Sequence, residues 1–254
     1  MKKFVFFFTS LVLVCLMMSC EFFSKPLYRF SRDISGVIGS MSTDDLAGNV
    51  DKMSSDPKIL ADVLNELAGR NQDEINDLSK DDKEKLLNAG VSAILPVSQL
   101  GDMVEQLTKG DGNKDFATIM DSLSQGGSAV NTKALETILE DENILKTTDA
   151  STLAFSAASL IVNTVKTEVG DSSSFEDKIT AFQDVAKTVN GNFNKDNFES
   201  QLKDKGFSPE SASALSAAMG VADILTGERK NDVAGVGIVG FTISDLLDKM
   251  KGGQ

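Results

Sequence analysis

The sequence predicts an all-α protein, a bundle of about ten helices in a single compact domain. Three observations point there. Apolar residues recur at three- and four-residue spacing along nearly the whole chain. Helix start and stop signals, chiefly Ser, Asp, Asn, Pro and Gly, return about every twenty residues. Hydrophobic residues make up 41% of the 254 positions, enough to build a core and more than a disordered chain carries.

The helices follow in order. Leu27, Phe30, Ile34, Val37, Ile38 and Met41 lie at helical spacing behind Pro26, which suits a first turn. Asp56-Pro57 opens a second helix with Ile59, Leu60, Val63, Leu64 and Leu67, closed by Gly69. Ser79, with Asp82 three residues on, starts the next, which carries Leu86, Leu87, Val91, Ile94 and Leu95 up to Pro96. Leu100, Met103, Val104 and Leu107 stop at Gly110; Phe116, Ile119, Met120 and Leu123 stop at Gly126; Leu135, Ile138 and Leu139 follow. Each of these reads as a helix with one wet face. The stretch from Ala150 to Val165, "ASTLAFSAASLIVNTV", carries no charge and reads as the central helix of the bundle. Its hydroxyls, its Asn163 and its length argue against membrane insertion. Ser174 then caps a helix bearing Ile179, Phe182, Val185, Ala186 and Val189. Phe198 and Leu202 mark a shorter one, Ser208-Pro209-Glu210 opens a helix of small residues running to Gly227, and Ile243, Leu246, Leu247 and Met250 close the chain. A short echo between "NKDFATIMDSL" at 113 and "NKDNFESQL" at 194 is ascribed to chance, since no solenoid period accompanies it.

The N-terminus is of another kind. After Lys2 and Lys3, every residue from Phe4 to Met18 is apolar except Thr9 and Ser10. As a helix this run spans about 22 Å, short of the roughly 30 Å of bilayer hydrocarbon, so residues 1–19 read as a signal peptide. It ends in Leu16-Met17-Met18-Ser19-Cys20, a small residue directly before a cysteine, whereas bulky Val14 precedes Cys15. This resembles the lipobox of bacterial lipoproteins. The usual pattern places Leu three residues before the cysteine with small residues between. Here Leu16 stands four before it and Met18 takes a slot normally smaller, a departure similar to the relaxed lipoboxes of spirochaete lipoproteins. The resemblance covers only the first twenty or so residues. It implies cleavage after Ser19, acylation of Cys20 with chains such as palmitate, and a protein tethered to a membrane without spanning it. The one remaining cysteine would then be acylated, which leaves neither a disulfide nor thiol chemistry.

The expected organisation is therefore a signal peptide over 1–19, the lipidated cysteine and a short tether over 20–25, and a helical domain over 26–254. The tether proper, Glu21 to Lys25, reaches at most about 17 Å, so the body is expected to work close to the lipid. Residues 21–32 hold Lys25, Arg29 and Arg32 against Glu21, a net charge of +2, and Phe22 and Phe23 beside them suit the lipid interface. The membrane-proximal residues are thus Phe22, Phe23, Lys25 and Arg29.

Composition excludes several classes of function. Removing residues 1–19 takes away Lys2 and Lys3 and leaves 38 acidic against 23 basic residues, a net charge of −15. Such a chain is a poor partner for nucleic acid. It has no His, the commonest general base near neutral pH, no Trp and a single Tyr. No enzyme activity, cofactor or metal is expected. Gly235, Gly237 and Gly240 spell GxGxxG, but "GERKND" stands where a strand should precede them and the chain ends too soon for the ribose-binding acid, so they read as close helix packing or a bend. Asp111, Asn113 and Asp115 imitate half of a calcium loop, yet Phe116 and Ser122 occupy the positions that need Gly and Glu. Asn190, Asn192 and Asn194 fail similarly at Lys195 and Gln201. Both read as polar loops capping the next helix. The acidic runs "DDKEK" at 81 and "EDEN" at 140 read as solvated faces.

The function expected from these features is a lipid-anchored, non-enzymatic binding or structural module of the cell envelope, exported and held at the cell membrane or outer membrane. Its partners would be the membrane, through acylated Cys20, and a protein. The alternative is a lipoprotein that binds lipid or another hydrophobic ligand, with the helices around 150–165 and 211–244 splaying around an apolar cavity.

Overall fold

A computed structural model describes residues 34–53, 56–95, 130–169, 175–189, 193–233, 237–238 and 241–242. The chain divides into two units, Met1–Met41 and Ser42–Gln254. In the first, helix α1 (Ile34–Ser40) ends with the Ser40 hydroxyl donating to the Val37 carbonyl at 2.8 Å. The expected helices at 100–107, 116–123 and 243–250, the Ser174 cap and Pro96 lie outside the described residues.

Among the described residues the second unit is helical apart from one two-residue strand pair near its end. Helix α2 (Thr43–Met53) opens on Ser42, whose hydroxyl accepts from the Asp45 amide at 3.1 Å and donates to the Asp45 carboxylate at 2.8 Å. This reciprocal cap explains a helix that apolar spacing alone did not mark. Helix α3 (Pro57–Ala68) begins at Asp56-Pro57 and is closed by Gly69, as the sequence indicated. A short α4 (Gln72–Asn76) leads to α5 (Lys80–Ile94), where Ser79 accepts from the Asp82 amide. After residue 130 come α6 (Lys133–Leu139), α7 (Glu142–Thr147) and α8 (Ala150–Val169). Then follow α9 (Phe175–Ala186), α10 (Lys195–Asp204), α11 (Pro209–Thr226) and α12 (Lys230–Val233).

Helix α8 is the centre of this unit. Asp149 caps it by accepting from the amides of Ser151 and Thr152 at 2.9 and 3.2 Å. Leu153, Ala154, Ala157, Ala158, Leu160, Ile161 and Val165 are wholly buried. Its most extensive packing is on α11, then on α5. Both α8 and α11 carry many buried Ala and Ser residues, small enough to let two helices pack closely. Helices α2 and α3 cover α5 from outside, and α10 covers α11. The turn into α11 passes through Gly206, whose φ of +80° is the left-handed conformation that closes α10.

Helix α6 differs from the expectation of a wet face. Its residues from Ala134 to Leu139 are all buried, because α3, α4, α5, α7, α8 and α11 all pack around it. Gly237-Ile238 and Phe241-Thr242 form a two-residue antiparallel pair, Gly237 opposite Thr242 and Ile238 opposite Phe241. Gly237 of the GxGxxG pattern thus lies in a short antiparallel pair, while Gly235 and Gly240 lie outside the described residues. Among the described residues no helix is long and apolar enough to cross a membrane.

Candidate functional site

The described residues enclose a cleft of about 540 Å³ between the N-terminal ends of α6 and α11 and the last turns of α8. Asn163, on α8 and buried, builds one wall. Its side-chain oxygen accepts from the Val130 amide at 2.9 Å and its amide nitrogen donates to the Val130 carbonyl at 2.7 Å. Two bonds of this kind satisfy both backbone polar groups of the buried Val130. The next residue is held from α3, where Asn65 accepts from the Asn131 amide at 2.7 Å. The chain therefore enters α6 in one register.

Glu136 lies in this cleft and is 6% exposed. Thr132 donates its hydroxyl to one carboxylate oxygen at 3.1 Å, and the Lys133 ammonium stands 3.5 Å from the other. Burial raises the Glu136 pKa above the ordinary glutamate range, and Lys133 and Thr132 offset this only in part. Glu210 on α11 lines the opposite side and is exposed, so the lining residues supply one buried carboxyl and not a buried pair. Thr164 also lines the cleft; it is 4% exposed, and its buried hydroxyl has no hydrogen-bond partner.

Beside the cleft, Glu168 ties α8 to the start of α11. It accepts from the Ser208 amide at 3.1 Å, the Ser208 hydroxyl at 2.8 Å and the Ser211 hydroxyl at 2.5 Å. Burial alone would raise its pKa, but these bonds and the nearby Lys178 outweigh burial and hold it below the usual value. Lys178 donates to the Gly206 carbonyl at 2.7 Å and sits 4.6 Å over the Phe207 ring. Its seryl and lysyl groups are thereby engaged in capping and packing.

The two acidic runs meet each other. Lys83 of "DDKEK" is buried, correcting the reading of that run as wholly solvated. It donates to the Asn76 carbonyl at 2.7 Å and to the Asp141 carboxylate of "EDEN" at 2.6 Å. Asp141 also caps α7. Burial would raise the Asp141 pKa, but Lys83 and the α7 amides hold it low. Arg229, in the segment "GERKND", closes the other end of α7 by donating to the carbonyls of Leu145 and Thr148 at 2.7 and 2.8 Å.

Cys20, Ser19, Phe22, Phe23, Lys25 and Arg29 lie outside the described residues, as do Asp111, Asn113, Asp115, Asn190 and Asn192. Asn194 caps α10 by accepting from the Asn197 amide, as its loop suggested. Among the described residues no group of three or more Cys, Asp or Glu is placed to hold a metal ion. Asn163 and Glu136 were not singled out as site residues by the sequence. The only signal was one amide in a charge-free helix and one acid amid apolar neighbours. The chain matches no known family model, no curated protein and no solved structure.

Proposed function

We propose that the chain is a lipid-anchored cell-envelope protein, a non-enzymatic binding or structural module held close to the membrane surface. The observation that carries this reading is the order of signal run, Ser19, Cys20 and a five-residue tether. The packing of the body supports the module over the lipid-handling alternative. The helices that would have to splay around a lipid, α8 and α11, pack on each other more extensively than any other described pair, and Leu153, Ala157, Leu215, Ala218 and Ala222 on them are all at 0% exposure. Separating them would expose the best-buried apolar surface of the unit to water.

The anchor is tested with Cys20→Ser and labelled palmitate. Incorporation is abolished by the substitution if Cys20 is the acylated residue; unchanged labelling overturns the assignment. The body, residues 21–254, is then purified from a lipid-containing host, extracted for mass spectrometry and floated with liposomes. A clean, non-floating protein is expected, and co-purified lipid would instead support the hydrophobic-ligand alternative.

A further inference from the structure

We propose that the cleft between α6, α8 and α11 binds an organic ammonium group on an alkyl body, with Glu136 as its counter-ion and the Thr164 hydroxyl, closed off in the free protein and turned into the cleft on binding, as its hydrogen-bond acceptor. This deepens the binding-module reading by naming the chemistry of what is bound.

Two groups in the cleft are left short by the protein itself. The Thr164 hydroxyl is buried and has no partner, although a threonine in a helix commonly bonds back to the preceding turn. Retaining such a group costs stability, and an absent ligand is one physical reason to keep it. The Glu136 carboxylate accepts one hydrogen bond from Thr132 and a long contact from Lys133, whose side chain is 45% exposed. A carboxylate has about four acceptor positions, so a bound cation finds capacity there. Its pKa is raised chiefly by burial, which these two contacts offset only in part.

Charge and walls define the class of ligand. Glu136 and Glu210 face the cleft against Lys133, an excess of one negative charge, in an acidic chain. Glu140 and Lys195 lie within electrostatic reach of Glu136 and are paired with each other at 2.6 Å. An anion is disfavoured, because the end of α11 that opens here is already served by its own chain. The Ser208 hydroxyl accepts from the Ser211 amide, and Glu168 takes both seryl hydroxyls. A bare metal ion lacks the three acidic ligands that would replace its water. Ala68, Val130 and Ala214 supply apolar wall, and a cleft of about 540 Å³ is of small-ligand size. The ammonium has two sources, a free amine or the lysine side chain of a protein partner, and both present the same group.

The full chain, purified in detergent whether or not it carries an acyl group, is titrated calorimetrically at neutral pH with n-butylamine, putrescine and Nα-acetyl-lysine amide. Saturable binding of at least one probe is expected. Glu136→Gln weakens it about tenfold or more, as for the loss of a charge-assisted bond, and Glu140→Gln leaves it within about twofold. Thr164→Val weakens binding roughly threefold to tenfold while the thermal midpoint of the free protein stays level or rises, because the hydroxyl has no partner to lose. This second variant keeps the test valid if Glu136→Gln folds poorly. Tighter binding of the lysine amide supports a protein partner, and tighter binding of putrescine supports a free polyamine. No saturable binding of any probe, or affinities unchanged in both variants, overturns the proposal. Palmitate labelling at Cys20 is read separately, so the anchor and the cleft fail independently.

Discussion

At the scale of single residues, the polar groups that organise this protein are buried ones joining segments far apart in sequence. Lys83 ties α5 to the end of α4 and to the start of α7. Its side chain is 7% exposed while that of Asp141 is 23% exposed, so the two partners are not equivalent. Asp141→Asn preserves the α7 cap but leaves a buried ammonium without its counter-charge, and is expected to cost about 2–3 kcal/mol. Lys83→Met removes the buried charge and keeps its volume, and is expected to cost about 1 kcal/mol or less. Urea unfolding of the two variants checks the order; a larger loss in Lys83→Met would show that the ammonium itself is the stabilising member. None of this was visible in "DDKEK" or "EDEN", because a run of charges looks the same whether its lysine points to water or to a helix 58 residues away.

At the scale of elements, the local rules worked where the signal was local. Asp56-Pro57, Ser79 with Asp82, Asn194, and Ser208-Pro209 each start a helix where the sequence placed one, since a cap is made by residues two or three apart. Helix α6 is the contrary case. Its seven residues make only about two turns, and its burial comes from six other helices packed around it. Gly90 of α5 makes one of these contacts possible. A Cβ there would stand 2.6 and 2.9 Å from the two Leu135 methyl carbons. Gly90→Ala gains about 1 kcal/mol of helix propensity but overpacks this crossing, and a net loss of about 1–2 kcal/mol is expected. In a Leu135→Ala background the clash is absent, and the same substitution is expected to be neutral or stabilising by up to about 1 kcal/mol. Thermal unfolding of the four proteins of this cycle gives the coupling; additive effects would refute the contact.

At the scale of the whole molecule, acid stability is shaped by carboxyls shifted in opposite directions. Asp141 and Glu168 titrate below their ordinary values. They contribute stability above their unfolded pKa values, and it is lost as pH falls through their folded ones. Glu136 titrates above its ordinary value, so its contribution is full below the unfolded pKa of about 4.5 and is lost as pH rises through the folded one. Relative to the wild type, Glu136→Gln is therefore expected to gain stability as pH rises through that window. The gap is constant below the ordinary glutamate range and constant again above the folded pKa. Urea midpoints of both proteins from pH 4 to pH 7 decide this, and a gap independent of pH would mean that Glu136 is not perturbed.

By itself, the sequence determined the all-α class, the charge-free helix at the centre and the start signals of most helices, along with the expectation of an anchor at Cys20. Each of these depends on the order of residues within one or two helical turns, and such information survives in a linear string. Only the tertiary structure decided that Asn163 pins Val130, that Lys83 meets Asp141, and that Glu136 and Thr164 share a cleft with Glu210. These pairs are formed by residues 28 to 74 positions apart, and their partners are chosen by the packing of α5, α6, α8 and α11. Burial, the quantity that makes a polar side chain costly or useful, does not exist until those helices have met.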